Sequence, residues 1–449
     1  MILTKLPVDL ASQATKSLQL SLFANDVAGS YDYFSQVLIL SSLEHEDIEM
    51  MRKENEAMTS LEKYAAYRKV FPLLAHEQAH WVDHTSTLWG IELLEKSFEA
   101  LAISVNSQST PGMESELHKQ ISFYNEILKV KYPSYYSTAN INVDGSRPWK
   151  YGYSLGKLFD VKGGVSDNPI IFTRFENNEG NLISREPFSL CSLLEVSAVW
   201  QEMHVEIGLL ESVLTEDEKI IEALQLKNRF LSLLYDPTLT EYSVAAHKLS
   251  NSLNCIDAIQ TFRMSAYLAR FCLNAVEDVF DLTIPSEING GEHPFNEGLS
   301  LLLNRHDRAA LYYILCDLLA NINETVDVTA ENIPDILHKY YEDRGLNYDD
   351  IVSKAEGRIK DVCTRVACAY QDEYSTNLLM SGLNRFNRLS KLGCGVYPFE
   401  ELRAPGAVLG DDYYFSPYDV RDDAVQDRWL NGAQFFEHLH EFSGACIQI

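Results

Sequence analysis

The sequence is short of positive charge, of long apolar runs and of paired cysteines. Its 449 residues include 37 lysines and arginines against 65 acidic residues, which gives a net charge of −28. Such a chain repels phosphate backbones and anionic lipid surfaces, and no basic cluster reverses the field locally. We therefore expect no nucleic-acid partner and no membrane partner.

The apolar segments and the cysteines indicate where in the cell the protein is expected. The longest apolar run near the middle, 309–320, contains Asp317 and falls short of the roughly twenty residues that a transmembrane helix needs. The N-terminus lacks an apolar stretch behind a basic start, so it does not predict a secretory signal. The eight cysteines form no CxxC pair, and scattered cysteines are typical of reduced thiols. We expect a cytoplasmic protein.

The residue pattern predicts an α+β protein that is predominantly α-helical. Residues 17–42 alternate around a turn-prone segment at 25–30, which indicates a β-hairpin and a small antiparallel sheet. A second hairpin is expected over 170–186, around the turn 177–181. Pro72 indicates the first turn of a helix that runs to about residue 103, since proline is favoured at helix starts.

The remaining chain is mostly helical. A helix is expected over 190–212, and residues 393–432, rich in Gly, Pro, Asp and Tyr, predict irregular surface structure. We interpret 1–212 as a metal-binding catalytic domain and 213–449 as a large helical C-terminal region. Further helices are expected at 216–235, 241–253, 256–282, 305–323 and 346–390.

One motif indicates a chemistry. His76, Glu77 and His80 form HExxH, in which a helix places two imidazoles on one face and the carboxylate about 100° round the axis. Apolar residues at helical spacing on both sides predict that this helix is buried. Burying two imidazoles and a carboxylate without a metal would be costly. The motif therefore predicts a Zn²⁺ site with His76 and His80 as ligands.

A two-histidine zinc site needs a third protein ligand. Glu195 is the candidate, because it stands alone in the apolar stretch 188–200, where a carboxylate is costly without a cation. Glu202 lies seven residues on, on the same helix face, as a second partner or as the ligand itself. Alternatively, Glu195 faces solvent or pairs with Arg174 or Arg185.

Two rivals lie closer to the motif. His84 follows His80 by one turn, but His76, His80 and His84 on one straight helix span about 12 Å and cannot all reach one ion. Asp83 and Ser86 occupy the positions where a metzincin motif has glycine and histidine. Asp83 and His84 are therefore expected to orient an imidazole or to be ordinary polar groups.

With its motif on one helix and a glutamate on a later one, the chain resembles the gluzincin zinc metallopeptidases. The resemblance implies that His76, His80 and Glu195 bind zinc and that Glu77 is the general base. The NExxSD signature of the thermolysin-like group is replaced by LEVSA at 194–198. A weaker similarity links the HExxHxxxH pattern to the ImmA/IrrE metallopeptidase-like regulators.

These features predict a zinc-dependent hydrolase that cleaves a peptide bond in a protein or peptide substrate. Glu77 would take a proton from the metal-activated water and pass it to the leaving amine. Residues 33–40 are expected to form an edge strand that pairs with extended substrate. Candidates for a second oxyanion donor are His204, Tyr242, His247 and Arg263.

Two other functions stay open at this point. A di-iron carboxylate protein would combine Glu77 and His80 with a second ExxH at Glu437 and His440. A non-enzymatic protein would use the acidic helical half as a scaffold for a partner protein. The sequence does not identify the substrate, the partner or the oligomeric state.

Overall fold

The computed structural model of the protein describes residues 1–6, 28–53, 58–106, 114–159, 163–291, 295–370, 373–390, 405–417 and 423–447. These residues form an α+β fold that is predominantly helical, as predicted, with 16 α-helices and two small sheets. Among them, no helix combines the length and apolarity that crossing a membrane requires.

The helices are numbered here in chain order. They are α1 (His45–Arg52), α2 (Ser60–Ser86), α3 (Leu88–Asn106), α4 (Glu114–Val130), α5 (Leu190–Val213), α6 (Glu216–Leu234), α7 (Thr240–Leu253), α8 (Ala258–Leu273), α9 (Glu277–Asp281), α10 (Pro285–Ile288), α11 (Asn296–Leu303), α12 (Arg308–Asn323), α13 (Ile333–Glu342), α14 (Tyr348–Tyr370), α15 (Glu373–Leu389) and α16 (Val425–Ile447).

The strands form two separate sheets. The first has the order β1-β9-β8-β3-β2 and the second the order β4-β7-β6-β5. The strands are β1 (Ile2–Lys5), β2 (Ser30–Asp32), β3 (Val37–Leu40), β4 (Thr138–Ala139), β5 (Lys150–Phe159), β6 (Val165–Glu176), β7 (Leu182–Pro187), β8 (Ala407–Leu409) and β9 (Tyr413–Ser416).

The first sheet joins the two ends of the chain. β3 pairs with β8 in parallel, and β1 and β8 both pair with β9 antiparallel. The prediction of irregular structure over 393–432 is therefore wrong for β8, β9 and the start of α16. Two short apolar runs are joined by a tight turn, in which Asp412 has a φ of 64°, and the many turn residues hid them.

The hairpin within 17–42 turns later than predicted. The expected strand before residue 28 lies mostly outside the described residues. The hairpin that the structure shows is formed by β2 and β3, which pair antiparallel. Asp32 accepts the N–H groups of Phe34 and Ser35, and Gln36 has a φ of 56°, so the turn falls at 33–36. Residues 33–40 are thus a turn and an interior strand, and the edge is β2.

The hairpin predicted over 170–186 is confirmed. β6 and β7 pair antiparallel, with Arg174 opposite Arg185. In the turn, the Asn177 side chain accepts the N–H groups of Glu179 and Asn181. β7 leads directly into α5, so this sheet fixes where α5 begins.

The helix that carries HExxH starts earlier than predicted and ends earlier. Thr59 and Glu62 form a capping box that starts α2, so Pro72 lies inside the helix and not in its first turn. Pro72 cannot donate to the Arg68 carbonyl, but the helix continues to Ser86. The predicted end near residue 103 is wrong, because Thr87 is extended and separates α2 from α3.

The helix α2 is sandwiched between α5 and the first sheet. It packs extensively along α5 and against β2 and β3. One apolar cluster joins residues of α2, α5, β3, β8 and β9, and a larger one joins α5 to the later helices. The division into 1–212 and 213–449 stays a prediction, and strands and core residues from both parts pack together.

We predict that Gly90→Ala lowers the free energy of unfolding by roughly 1–3 kcal/mol. A Cβ at residue 90 would lie 2.2 Å from the backbone oxygen of His84, at the junction of α2 and α3. The matched control is Gly357→Ala within α14, where a Cβ meets nothing within 4 Å. That change should stabilise the protein by about 0.5–1 kcal/mol. Urea unfolding of both variants would contradict the prediction if Gly90→Ala were also stabilising.

Candidate metal centre

The HExxH side chains and Glu195 lie on facing helices. His76 and His80 project from α2, and Glu195 projects from the first turns of α5. All three side chains are buried, with residue exposures of 5%, 7% and 5%. The structure thus brings Glu195 to the motif, and the alternative of a solvent-facing Glu195 is wrong.

The three side chains converge on one point. Oε2 of Glu195 lies 3.4 Å from Nε2 of His76 and 3.6 Å from Nε2 of His80. Ligand atoms about 2.1 Å from a tetrahedral ion are about 3.4 Å from one another. The two observed separations are therefore close to the distance between two ligands of one tetrahedral ion. The cluster could hold a metal ion.

The polar atoms of this cluster also fit a cation. Oε2 of Glu195 is buried and accepts no hydrogen bond from any residue that the structure describes. A buried carboxylate oxygen without a hydrogen bond is costly unless a cation lies beside it. Two neutral imidazoles and one carboxylate are a ligand set that zinc uses in catalytic sites. The residues therefore fit a bound divalent metal.

Electrostatics favour the charged carboxylate in this cluster. Burial raises the pKa of Glu195, but the charges and close contacts of His80 and His76 outweigh burial and hold the pKa below its usual range. For His76, burial lowers the pKa, yet contacts with Glu195 and Glu202 and the charge of Glu77 raise it well above the usual value. The site is thus built to stabilise positive charge next to Glu195.

Glu202 acts on the other nitrogen of His76. Its Oε2 lies 3.2 Å from Nδ1 of His76, and Glu202 lies about two turns further along α5 than Glu195. A carboxylate on Nδ1 fixes the ring orientation and leaves Nε2 directed at the cluster. Glu202 is therefore placed to orient His76, and it is not part of the ligand cluster.

Glu77 is packed against the start of β2. It is 2% exposed, and a Cβ built on Gly29 would lie 2.8 Å from its Oε1. Residue 29 must therefore be glycine for the carboxylate to keep this position. Glu77 and Gly29 line one small cavity with His76, His80 and Glu195. The cavity leaves about 20 Å³ for a water-sized particle, which is room for one.

The two rivals of Glu195 point elsewhere. The Nδ1 of His84 is 2.9 Å from the hydroxyl of Tyr31, and its ring packs on Tyr33. Burial lowers the pKa of His84 to about 3, so this imidazole is neutral. Asp83 is fully buried on the same turn, and neither residue belongs to the metal-binding group. His84 supports β2 through its contact with Tyr31.

Of the four candidate oxyanion donors, Tyr242 alone lines the cavity. His247 bonds to the Leu234 carbonyl within an aromatic cluster, and Arg263 pairs with Glu331. His204 packs on Trp200. Arg174 and Arg185, the alternative partners of Glu195, contact Glu176 and the Tyr136 carbonyl instead.

The second ExxH lies away from the centre. His440 is on α16, where its Nδ1 is 2.9 Å from the hydroxyl of Tyr124 on α4. Among the described residues, neither His440 nor Glu437 joins a metal-binding group. The geometry gives no support to a di-iron site.

Sequence reasoning missed a polar layer beside Glu195. The Cys191 thiol is 3.8 Å from Oε1 of Glu195, and Lys131 pairs with Glu241 at 2.7 Å. Glu186 follows, accepting hydrogen bonds from Ser137 and Thr240. Only the spacing of Cys191, one turn before Glu195, was a signal in the sequence. The other residues come from loops, from β7 and from the start of α7, which the fold brings together.

Comparisons with known proteins add no information about this site. No protein-family model matches the chain, and no curated protein or solved structure is significantly similar to it.

We predict that Glu195→Ala weakens divalent metal binding by an order of magnitude or more, because it removes the anionic ligand. Glu202→Ala should weaken binding less, since it removes only the group that orients His76. The matched control is Glu211→Ala, an exposed change on the same helix. Competition with a chelator measures the affinities. Equal affinity in Glu195→Ala and the control would exclude Glu195 as a ligand.

We predict that Glu186 makes the protein less stable as the pH rises. Burial, followed by the charge of Glu241, raises the pKa of Glu186 to about 7, against about 4.3 for an ordinary glutamate. The folded state therefore holds the proton more tightly. This contribution to stability is complete below about pH 4 and is lost as the pH rises through about 7.

The test compares Glu186→Gln with Glu176→Gln, a control on the neighbouring strand β6. Between about pH 5 and about pH 8, the free energy of unfolding should fall by about 1–3 kcal/mol less in Glu186→Gln than in the control. The two variants share every other titrating group of the chain. Parallel pH profiles would show that Glu186 titrates normally.

Proposed function

We propose that the protein is a zinc-dependent metallopeptidase of the gluzincin type. The observation that carries the proposal is the position of Oε2 of Glu195, 3.4 Å and 3.6 Å from the two motif imidazoles. These distances suit a single tetrahedral ion with one position left for water. His76, His80 and Glu195 would hold the zinc, and Glu77 would be the general base.

Each residue of the site would have its own role in hydrolysis. Zinc, when bound, supplies Lewis acidity that lowers the pKa of its water towards neutrality. Glu77 would accept the proton of that water and deliver it to the leaving amine. Glu202 would keep His76 in one tautomer and orientation. Tyr242, on the cavity wall, would donate its hydroxyl proton in a hydrogen bond to the developing oxyanion.

The substrate would be an extended peptide that pairs with β2. Within the described residues β2 is an edge of the first sheet, and Gly29, Ser30 and Tyr31 line the metal cavity. An edge strand offers backbone N–H and C=O groups to an added strand. Pairing with β2 would place the scissile carbonyl next to Glu77.

One observation favours a second candidate function. The metal cavity holds only one water-sized particle, and Glu77 is 2% exposed. A peptide would reach the centre only if part of the cavity wall moved. A protein that uses the metal to stabilise an interaction scaffold, without hydrolysis, needs no such opening. The acidic helical half would then bind the partner protein.

The deciding experiment measures zinc content and peptidase activity together. His76→Ala and His80→Ala should lose stoichiometric zinc, whereas Glu77→Gln should keep zinc and lose cleavage of a quenched-fluorescence peptide library. Gly29→Ala, which displaces the Glu77 carboxylate, should also keep zinc and lose most activity. Glu211→Gln serves as the neutral control.

Three results would separate the candidates. Cleavage that persists in Glu77→Gln would exclude Glu77 as the base. Stoichiometric zinc with no cleavage by the unmodified protein would favour the scaffold. A protein that binds no zinc when supplied with it would contradict both.

A further inference from the structure

A second cavity lies where α2 ends. Ser86 and Thr87 form part of its wall, and the rest comes from α8, α14 and α15. It leaves about 90 Å³ for water-sized particles, against about 20 Å³ in the metal cavity. None of the metal-site residues lines it. This cavity is partly open to solvent, so it would hold a small organic molecule that lies partly outside it, and it is separate from the metal centre.

Most of the wall is aromatic or aliphatic. Four aromatic rings, from Tyr267, Phe271, Tyr348 and Phe386, surround the space. The aliphatic part comes mainly from consecutive turns of α14. Aromatic walls favour a flat apolar body, which they contact by stacking or edge-to-face. The shape and chemistry of the wall therefore select a small ring.

Four neutral polar side chains on the wall are already engaged within the protein. Ser86 accepts a hydrogen bond from Arg385, and Ser390 donates to the Asn387 carbonyl. Thr87 donates to the Asp83 carbonyl. The Asn274 side chain accepts from Leu88 and donates to the Arg270 carbonyl. These groups are poorly placed to recognise a ligand by hydrogen bonds.

Arg270 is the single charged residue among those that line the cavity. No acidic side chain joins it on this wall, although the chain has 65 acidic residues. A guanidinium has five N–H donors, so it can keep a protein contact and still bind a carboxylate. Its positive charge also acts on His204, whose pKa is lowered first by burial and then by Arg263 and Arg270.

We propose that this cavity is a binding site for a small aromatic monocarboxylate. The ring lies among the aromatic residues, and the carboxylate pairs with Arg270. A ligand here touches the end of α2, which carries both motif histidines, and α8, which packs against the Glu195 helix α5. The site is thus placed to report a metabolite to the metal centre, whichever function that centre has.

The test is calorimetric titration of the metal-loaded full chain with benzoate and phenylacetate. We expect saturable binding of one acid per chain. Benzamide and benzyl alcohol, which keep the ring and lose the charge, should bind roughly tenfold more weakly or worse, because a charge-assisted hydrogen bond is lost. Equal binding of acids and neutral analogues, or no saturable binding of either acid, would overturn the proposal.

Two variants locate the site. Arg270→Gln should weaken acid binding roughly tenfold or more, whereas Arg263→Gln, seven residues earlier on the same helix, should leave it unchanged. Ala355→Leu, which fills the cavity from α14, should abolish binding of acids and analogues alike. Circular dichroism checks that each variant is folded. Acid binding that survives Ala355→Leu would place the ligand elsewhere and contradict the assignment.

Discussion

The contact on which the structure depends is that of Glu195 with the imidazoles of His76 and His80. Three polar side chains, each less than a tenth exposed, meet between the buried helices α2 and α5. Their desolvation costs several kcal/mol per charge unless charges are balanced locally. The pairing of α2 with α5 provides that balance, because both contacts between the carboxylate and the imidazoles run between these helices. A metal ion would complete it.

Neighbouring residues restrict the geometry of this contact. Glu202 binds the far nitrogen of His76, and the backbone of Gly29 confines Glu77. His84 and Tyr31, bonded to each other, buttress β2 against α2. Each of these groups holds in place a side chain or a strand that faces the centre. Preorganisation of this kind keeps metal ligands and a general base within the narrow range that chemistry tolerates.

The sequence was sufficient to predict which three residues meet at the candidate site and insufficient to predict its walls. HExxH indicated two ligands through helix geometry alone, and Glu195 was identifiable because a lone carboxylate in an apolar helix needs a cation. Local patterns also predicted the 170–186 hairpin. The strands β8 and β9 were missed, since a three-residue strand has too short a period to read and its pairing with β3 spans more than 360 residues. Pro72 misled because the Thr59 capping box, not the proline, starts the helix.

Burial sets the remaining constraint on function. The burial that would strengthen binding of a cation by Glu195 also leaves no room for a peptide, so hydrolysis would require part of the wall to move. The shortest element of the wall is β2. It is three residues long, and in the described sheet it pairs on one side only. Local opening costs least where few hydrogen bonds and contacts are lost. Displacing β2 would expose Glu77 and the metal ligands together while α2 and α5 stay packed. The same strand that closes the centre is thus the one whose movement would admit a substrate.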